Sequence, residues 1–193
     1  NLNPTSTNFG RITSATPATL TLNQTANRSY DGTFSGAVSI IKEGNADLTL
    51  LQEGTHTGDT RVNAGKLNLG HVNALKDSTL DTGEVGTQSV GFTASGTNTY
   101  HLGGLKGENS LGIGTNSITV GSNNQSTTFG GNLTSENGKF TKVGTGSLLF
   151  QGTLMGLSEI AVEEGVLGGT ATIFSPVAVA AGAALQVGNG VDA

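Results

Sequence analysis

The sequence predicts an all-β protein, a right-handed parallel β-helix (β-solenoid) that spans residues 1–193 as a single domain. Three observations predict it: a composition rich in glycine and poor in charge, short apolar segments that alternate with polar residues, and an internal repeat. A chain of 193 residues is long enough to bury a substantial core. No helix is predicted.

The composition favours strands and turns and narrows the range of partners. There are 31 Gly, 3 Pro and no Cys, and charged residues make up 12%, against about 25% in an average chain. The polar residues are mostly Thr, Ser and Asn, which suit strands and turns. A net charge of −5 with only 9 scattered Lys and Arg argues against a nucleic acid partner. The absence of Cys excludes disulfides and thiolate metal sites, and no apolar run reaches the length of a membrane span.

Alternating apolar residues predict short strands with one dry and one wet face. Leu20 and Leu22 form one such pair, and Leu48 and Leu50 another. The predicted strands are Ala18–Leu22, Val38–Ile41, Leu48–Leu51, Thr60–Val62, Lys66–Leu69, Ser110–Ile113, Ser117–Val120, Ser147–Phe150, Glu159–Val162 and Pro176–Val179. Glycine and asparagine lie between them, as expected of turns.

The chain repeats itself when it is aligned with itself so that Lys42 falls on Lys142. Residues 42–44 (Lys-Glu-Gly) then match residues 142–144 (Lys-Val-Gly), and Val62 to Leu67 matches Val162 to Leu167. The copies cover about residues 32–70 and 127–169, with a partial copy at about 176–188. The matched positions are apolar strand residues and turn glycines, which indicates a duplicated scaffold rather than a duplicated active site.

The recurrence of strand pairs predicts a coil of roughly 20–25 residues. A coil of that size has too little apolar surface to fold alone and stacks on its neighbours. With parallel strands about 4.8 Å apart, seven to nine coils make a rod on the order of 35–45 Å long. Phe34 and Phe129 recur at equivalent repeat positions, which places both in the predicted core.

Residues 48–70 read LTLLQEGTHTGDTRVNAGKLNLG. Together with residues 42–44, they resemble the autotransporter-associated β-strand repeat, also called the passenger-associated transport repeat. The second copy, residues 142–169, keeps the lysine-x-glycine and valine-x-x-glycine-x-leucine parts and departs from the pattern at residues 153–158. The resemblance implies a secreted β-helix of the bacterial cell surface, of the autotransporter-passenger type.

No catalytic, cofactor-binding or metal-ligating residue is predicted, and no cofactor. His56, His71 and His101 are isolated from one another. His56 and Asp59 are close enough in sequence to reach one ion, but metal sites need three or four ligands. We therefore expect His56 in a solvated turn.

The acidic residues do not predict an active site either. Asp77 and Asp81 are expected to straddle a turn after Leu75, and Glu163 and Glu164 to lie at a corner. Acid–base cleavage of a glycan needs two carboxyl groups that converge on one bond, and these acids are spread singly. An enzyme of the polysaccharide-lyase type therefore ranks last.

The predicted function is structural: a non-enzymatic extracellular rod that self-associates through its solenoid ends, stacking head to tail into a surface filament or layer. The alternative is an adhesin or glycan-binding passenger segment, with a glycan or a host or matrix surface as partner. Its candidate site is Thr82–Asn98, a stretch that breaks the repeat.

Overall fold

The computed structural model describes residues 10–188, which form a β-solenoid of 22 strands. This confirms the predicted fold class. The predicted domain also includes residues 1–9 and 189–193, which lie outside the described residues. Among residues 10–188 no helix is long and apolar enough to cross a membrane.

Four sheets build the solenoid, and the strands within each sheet pair in parallel. The main sheet has ten strands: β1 (Arg11–Asn23), β3 (Thr33–Glu43), β5 (Thr55–His56), β6 (Thr60–Val62), β8 (Leu75–Asp81), β10 (Thr99–Lys106), β12 (Ser117–Val120), β15 (Lys139–Lys142), β18 (Glu159–Val162) and β21 (Val177–Val179). The others are β2 (Arg28–Tyr30), β4 (Leu48–Leu50), β7 (Lys66–Leu69) and β9 (Ser89–Phe92); β11 (Leu111–Gly112), β14 (Leu133–Thr134), β17 (Thr153–Met155) and β20 (Thr172–Ile173); and β13 (Thr127–Phe129), β16 (Ser147–Phe150), β19 (Val166–Gly169) and β22 (Ala184–Val187).

The strand registers set the length of each coil. Ile40 pairs with Thr60, and Thr60 pairs in turn with Leu80, so two successive coils have the same length. Leu80 pairs with Leu105, which makes the next coil longer. The three coil lengths, read from these pairs, all lie within the predicted range of roughly 20–25 residues. Every predicted strand overlaps an observed one, but the sequence analysis missed others, including the long strand β10.

The strands stack into three columns, here called faces 1, 2 and 3. In the first coils one long strand supplies both face 1 and face 2: the start of β3 pairs with β5, and its second half pairs with β6. Gly36 lies between these halves with φ +70°, and a Cβ there would meet the Ser14 carbonyl oxygen at 2.2 Å. Only glycine tolerates this bend. Face 3 consists of β2, β4, β7 and β9 and then, through the contact of β9 with β11, of the sheet that begins with β11.

Faces 1 and 2 separate at β10. Its first half pairs with β12, which leads on to β15, β18 and β21 in face 1. Gly107, directly after β10, pairs with Phe129 of β13, which leads on to β16, β19 and β22 in face 2. The next three coils after β10 therefore have three short strands each. Four of the earlier coils have one long strand and one short strand, and the coil of β5, β6 and β7 has three short strands.

The predicted turn after Leu75 and the predicted break in the repeat at residues 82–98 both need correction. Asp77 and Asp81 lie within β8, so the turn was wrong. Residues 82–98 contain β9, whose Leu69-to-Phe92 pairing with β7 makes it an ordinary part of face 3. The extra length lies in the turns on either side of β9, which lengthen this coil.

The core is a stack of inward apolar rows. Phe34 and Phe129 are both buried, which confirms the core prediction. Their proposed equivalence was wrong, because Phe34 belongs to β3 on face 1 and Phe129 to β13 on face 2. Phe129, Phe140 and Phe150 form a cluster of edge-to-face rings with centroids 5.5 and 5.6 Å apart.

Asparagine side chains tie successive coils together at the corners. The Oδ1 atoms of Asn27, Asn124 and Asn132 each accept a hydrogen bond of 2.9 Å from a backbone N–H on the next coil. Two of these bonds satisfy turn amides, those of Asp47 and Thr145, and the third satisfies the amide of Thr153 at the start of β17.

Candidate functional site

His56 lies in the core rather than in a solvated turn, so that prediction was wrong. Its side chain is fully buried and packs edge-on against Phe34, with ring centroids 5.8 Å apart. Burial lowers the pKa of His56 from 6.5 to about 4. Asp59 does not join it in an ion site, since residues 10–188 contain no group of three metal-binding side chains.

A chain of buried hydroxyl groups starts at His56. Its Nε2 is 2.8 Å from the Thr60 hydroxyl, which is 2.9 Å from the Ser78 hydroxyl. Ser78 then donates to the Gly58 carbonyl at 2.6 Å. The other ring nitrogen, Nδ1, is buried without a hydrogen-bond partner among the described residues. A proton on Nδ1 would therefore have no acceptor.

Lys42 is a second buried polar group, and it explains the lysine of the repeat. Its Nζ donates to the carbonyls of Glu43, Gly44 and Ala64, at 2.9, 2.8 and 3.0 Å. The side chain is fully buried between Leu22 and Val62, its partners in the inward row. Burial lowers the pKa of the Lys42 amine, opposed by the carboxylates of Asp47 and Glu43.

Lys142 reproduces this contact set in the second copy of the repeat. Its Nζ donates to the carbonyls of Val143, Gly144 and Glu164, at 2.7, 2.7 and 3.2 Å. Burial lowers the pKa of its amine, opposed by Glu164. The two lysines lie on different faces, however: Lys142 stacks on Val120 of face 1, whereas Lys42 belongs to the second half of β3 on face 2.

Gln88 has a similar role in a coil that lacks the lysine. It is buried, and its Nε2 donates to the carbonyls of Thr82, at 3.2 Å, and Glu84. Three corners of the solenoid thus enclose turn carbonyls around a side-chain donor. The amine groups of the two lysines and the amide nitrogen of Gln88 donate their hydrogen bonds to backbone carbonyls, which fits a structural role.

A row of charges runs along the outer side of face 2. Arg61, Asp81 and Lys106 are direct register partners on three successive coils. Asp81 lies 3.4 Å from Arg61 and 4.0 Å from Lys106, and Lys106 also pairs with Asp59. The expectation that the acids are spread singly was therefore wrong, because the coil step brings distant residues together.

Asp81 is the anchor of this row. Its side chain is only 10% exposed, against 40% for Arg61 and 34% for Lys106. Its second oxygen, Oδ1, accepts a hydrogen bond of 2.9 Å from the backbone N–H of Gly83. Both carboxylate oxygens are therefore engaged, and the orientation of Asp81 is fixed.

The charged row forms the floor of a groove. The groove has a volume of about 410 Å³ and is lined by Arg61, Asp81, Gly83, Glu84, Lys106, Gly107, Glu108, Gln125, Ser126, Thr127 and Thr128. A second hollow of about 400 Å³ shares Arg61 and Glu84 with it and is also lined by Asn63, Val85 and Gln88. These volumes fall within the range of small-ligand sites.

The loop over residues 121–126 forms one wall of the groove. Ser122 donates to the Lys76 carbonyl at 2.6 Å, and Asn123 Nδ2 donates to the Thr79 hydroxyl at 2.8 Å. These contacts reach back across β10 to β8, over Gly104, where a Cβ would meet the Thr79 hydroxyl at 2.7 Å. The missing side chain lets the loop lie flat on the sheet.

A separate hollow brings Ser122, His101 and Asp77 together, residue types that serve in hydrolases. The geometry does not join them. The Ser122 hydroxyl donates to a backbone carbonyl, and within residues 10–188 His101 makes no side-chain hydrogen bond or ion pair. A nucleophile needs a base within hydrogen-bond reach, and this trio lacks that contact.

Glu163 and Glu164 occupy the corner after β18, as predicted, and both are exposed. The sequence analysis missed Arg61 and Lys106, and it did not place Asp81 in a row with them. Their spacing in the sequence equals the coil steps from β6 to β8 and from β8 to β10. A register assignment of β8 and β10 would therefore have revealed them.

Comparison with known proteins does not identify a family: no family model, no curated protein and no solved structure matches this chain.

Proposed function

We propose that the chain is a non-enzymatic structural protein, an extracellular β-solenoid rod of the autotransporter-passenger type at the bacterial cell surface. One observation carries this proposal. A single ten-stranded parallel sheet runs from Arg11 to Val179, so backbone hydrogen bonds connect every described coil along one axis. Such a sheet resists bending and stretching, which suits a spacer or filament.

The outermost described coil supports stacking of further coils upon it. Leu148 and Leu167 are each 1% exposed, but their row partner Leu185 is 42% exposed. Likewise Val162 is 1% exposed and its partner Val179 is 45% exposed. A coil from another copy, or one from the same chain, would cover these side chains. We propose that copies stack head to tail through such ends.

Electron microscopy of the 193-residue protein over a concentration series tests the stacking. We expect filaments whose length grows with concentration. The double variant Val179→Lys and Leu185→Lys should give only short rods, because charges would then face the stacking surface. Met155→Lys is the matched control, since Met155 is equally exposed at 45% but lies on the side of the rod. Short rods of wild-type protein at every concentration would exclude stacking.

The surface location needs a separate test. Protease treatment of intact cells that express the protein should degrade the solenoid while a cytosolic marker survives. Protection of the solenoid until the cells are lysed would contradict an extracellular role.

A further inference from the structure

The groove on face 2 is lined by charges of both signs, which the rod proposal does not explain. Its floor alternates in charge along the rod axis, in the order Arg61, Asp81, Lys106. Its walls add two exposed carboxylates, Glu84 and Glu108, and the amide and hydroxyl groups of residues 125–128. Among the described residues neither Glu84 nor Glu108 has an ion-pair partner.

This chemistry narrows the class of ligand. A polyanion would meet three carboxylates, those of Asp81, Glu84 and Glu108, so nucleic acids and acidic polysaccharides are disfavoured. A polycation would meet Arg61 and Lys106 on the floor. An apolar ligand would find no large apolar side chain in the groove, whose lining residues are all charged, amide-bearing, hydroxyl-bearing or glycine. A neutral ligand rich in hydroxyl groups fits, because a hydroxyl both donates to carboxylates and accepts from ammonium and guanidinium groups.

The spacing of the row indicates how such a ligand would lie. Successive coils are about 4.8 Å apart, which is close to the length of one hexose unit in an extended β-linked chain. A glycan parallel to the rod axis would therefore present one sugar to each charged residue of the floor. The row covers three coils, which corresponds to three or four sugars.

We propose that this groove binds a neutral β-linked oligosaccharide along the rod axis. Arg61 and Lys106 donate to sugar oxygens, and Glu84 and Glu108 accept from sugar hydroxyls. Asp81 is a positioning residue, because its two oxygens are already engaged by Arg61, Lys106 and the Gly83 amide. Glu84 of the groove belongs to the segment 82–98, the predicted adhesin site, and Val85 and Gln88 of that segment line the neighbouring hollow.

Titration calorimetry with neutral β-1,4-linked glucose and N-acetylglucosamine oligomers of two to six units tests this proposal. We expect affinity for at least one of the two series to rise steeply up to the tetramer and then to level off. Tetragalacturonate, a chain of similar length that carries charges, should bind at least 10-fold more weakly. The absence of millimolar affinity for both neutral tetramers would overturn the proposal, and so would tighter binding of tetragalacturonate.

Two double variants locate the site. Glu84→Ala with Glu108→Ala should reduce the affinity at least 10-fold, since hydrogen bonds to charged groups are the stronger ones. Both residues are exposed, so the fold should be unchanged. Glu163→Ala with Glu164→Ala removes the same charge from a distant corner and should leave the affinity unchanged. Equal losses in both variants would show a non-specific effect of net charge and overturn the site. Filament formation does not depend on this groove, so the two proposals fail independently.

Discussion

The two halves of the solenoid turn the same corner by different means. In most coils of the first half, faces 1 and 2 are joined within one long strand, as in β3, which bends at Gly36. The coil of β5 and β6 is the exception, because there the two faces are separate short strands. In the second half they are separate strands joined by a turn, as between β15 and β16, and Lys142 closes that turn with three hydrogen bonds to carbonyls. The lysine is needed only where the chain makes a real turn and exposes carbonyls inward.

The position of Lys42 supports this interpretation. It closes the turn between faces 2 and 3, where the first half also has a real corner. The same lysine-x-glycine sequence thus serves two different corners of the coil. The sequence repeat therefore encodes a local turn rather than a fixed position around the coil.

The largest expected effect comes from removing either buried lysine. Lys42→Met and Lys142→Met each keep an unbranched side chain of similar length but leave three carbonyls without their donor. We expect the free energy of unfolding to fall by about 3–5 kcal/mol in each variant. Urea denaturation followed by circular dichroism measures it.

The location of the damage distinguishes the two corners. Hydrogen exchange should accelerate around residues 42–46 and 62–66 in the first variant, and around 142–146 and 162–166 in the second. Lys139→Met is the control, because Lys139 is 40% exposed in a surface ion pair. A Lys42→Met protein as stable as the wild type would show that water replaces the amine.

A second difference between the halves is the buried histidine, and it predicts a pH effect confined to the first half. Burial lowers the pKa of His56 to about 4, from 6.5 in the unfolded chain. Below pH 6.5 the unfolded state binds a proton that the folded state excludes. The contribution of His56 to the free energy of unfolding should therefore fall by about 3 kcal/mol between pH 6.5 and 4 and stay constant below pH 4.

The variant His56→Gln isolates this contribution, since its amide can still bond to Thr60. The difference in unfolding free energy between the wild type and His56→Gln should change by about 3 kcal/mol over that pH interval. All other charged groups are present in both proteins, so their contributions cancel in this difference. If the unfolding free energies of the wild type and His56→Gln changed in parallel with pH, the prediction would be contradicted. His101→Gln is the control variant, because it removes a histidine that lies on the surface.

The fold was predictable from sequence because its signal is local. Alternation at Lys66–Leu69 and Ser117–Val120 located two strands to the residue. The charged row was not predictable in this way, because Arg61, Asp81 and Lys106 meet only through two coil steps of unequal length. His56 was misassigned because its short strand carries no alternation, and only the register of β5 on β3 places it inside.

The smallest expected effect compares surface charges in the two halves. Lys106 belongs to a network around an almost buried carboxylate, whereas Lys139 and Glu159 form an isolated pair 3.0 Å apart, with side chains 40% and 41% exposed. We expect Lys106→Ala to lower the free energy of unfolding by about 1 kcal/mol and Lys139→Ala by less than about 0.5 kcal/mol, because isolated exposed pairs are weak. Urea midpoints at low and high salt measure both. High salt should nearly abolish the effect of Lys139→Ala and only reduce that of Lys106→Ala, since a buried carboxylate is screened less. If Lys106→Ala and Lys139→Ala lowered the free energy of unfolding equally at each salt concentration, the burial of Asp81 would add no stability. The coil register alone would then hold the charged row together.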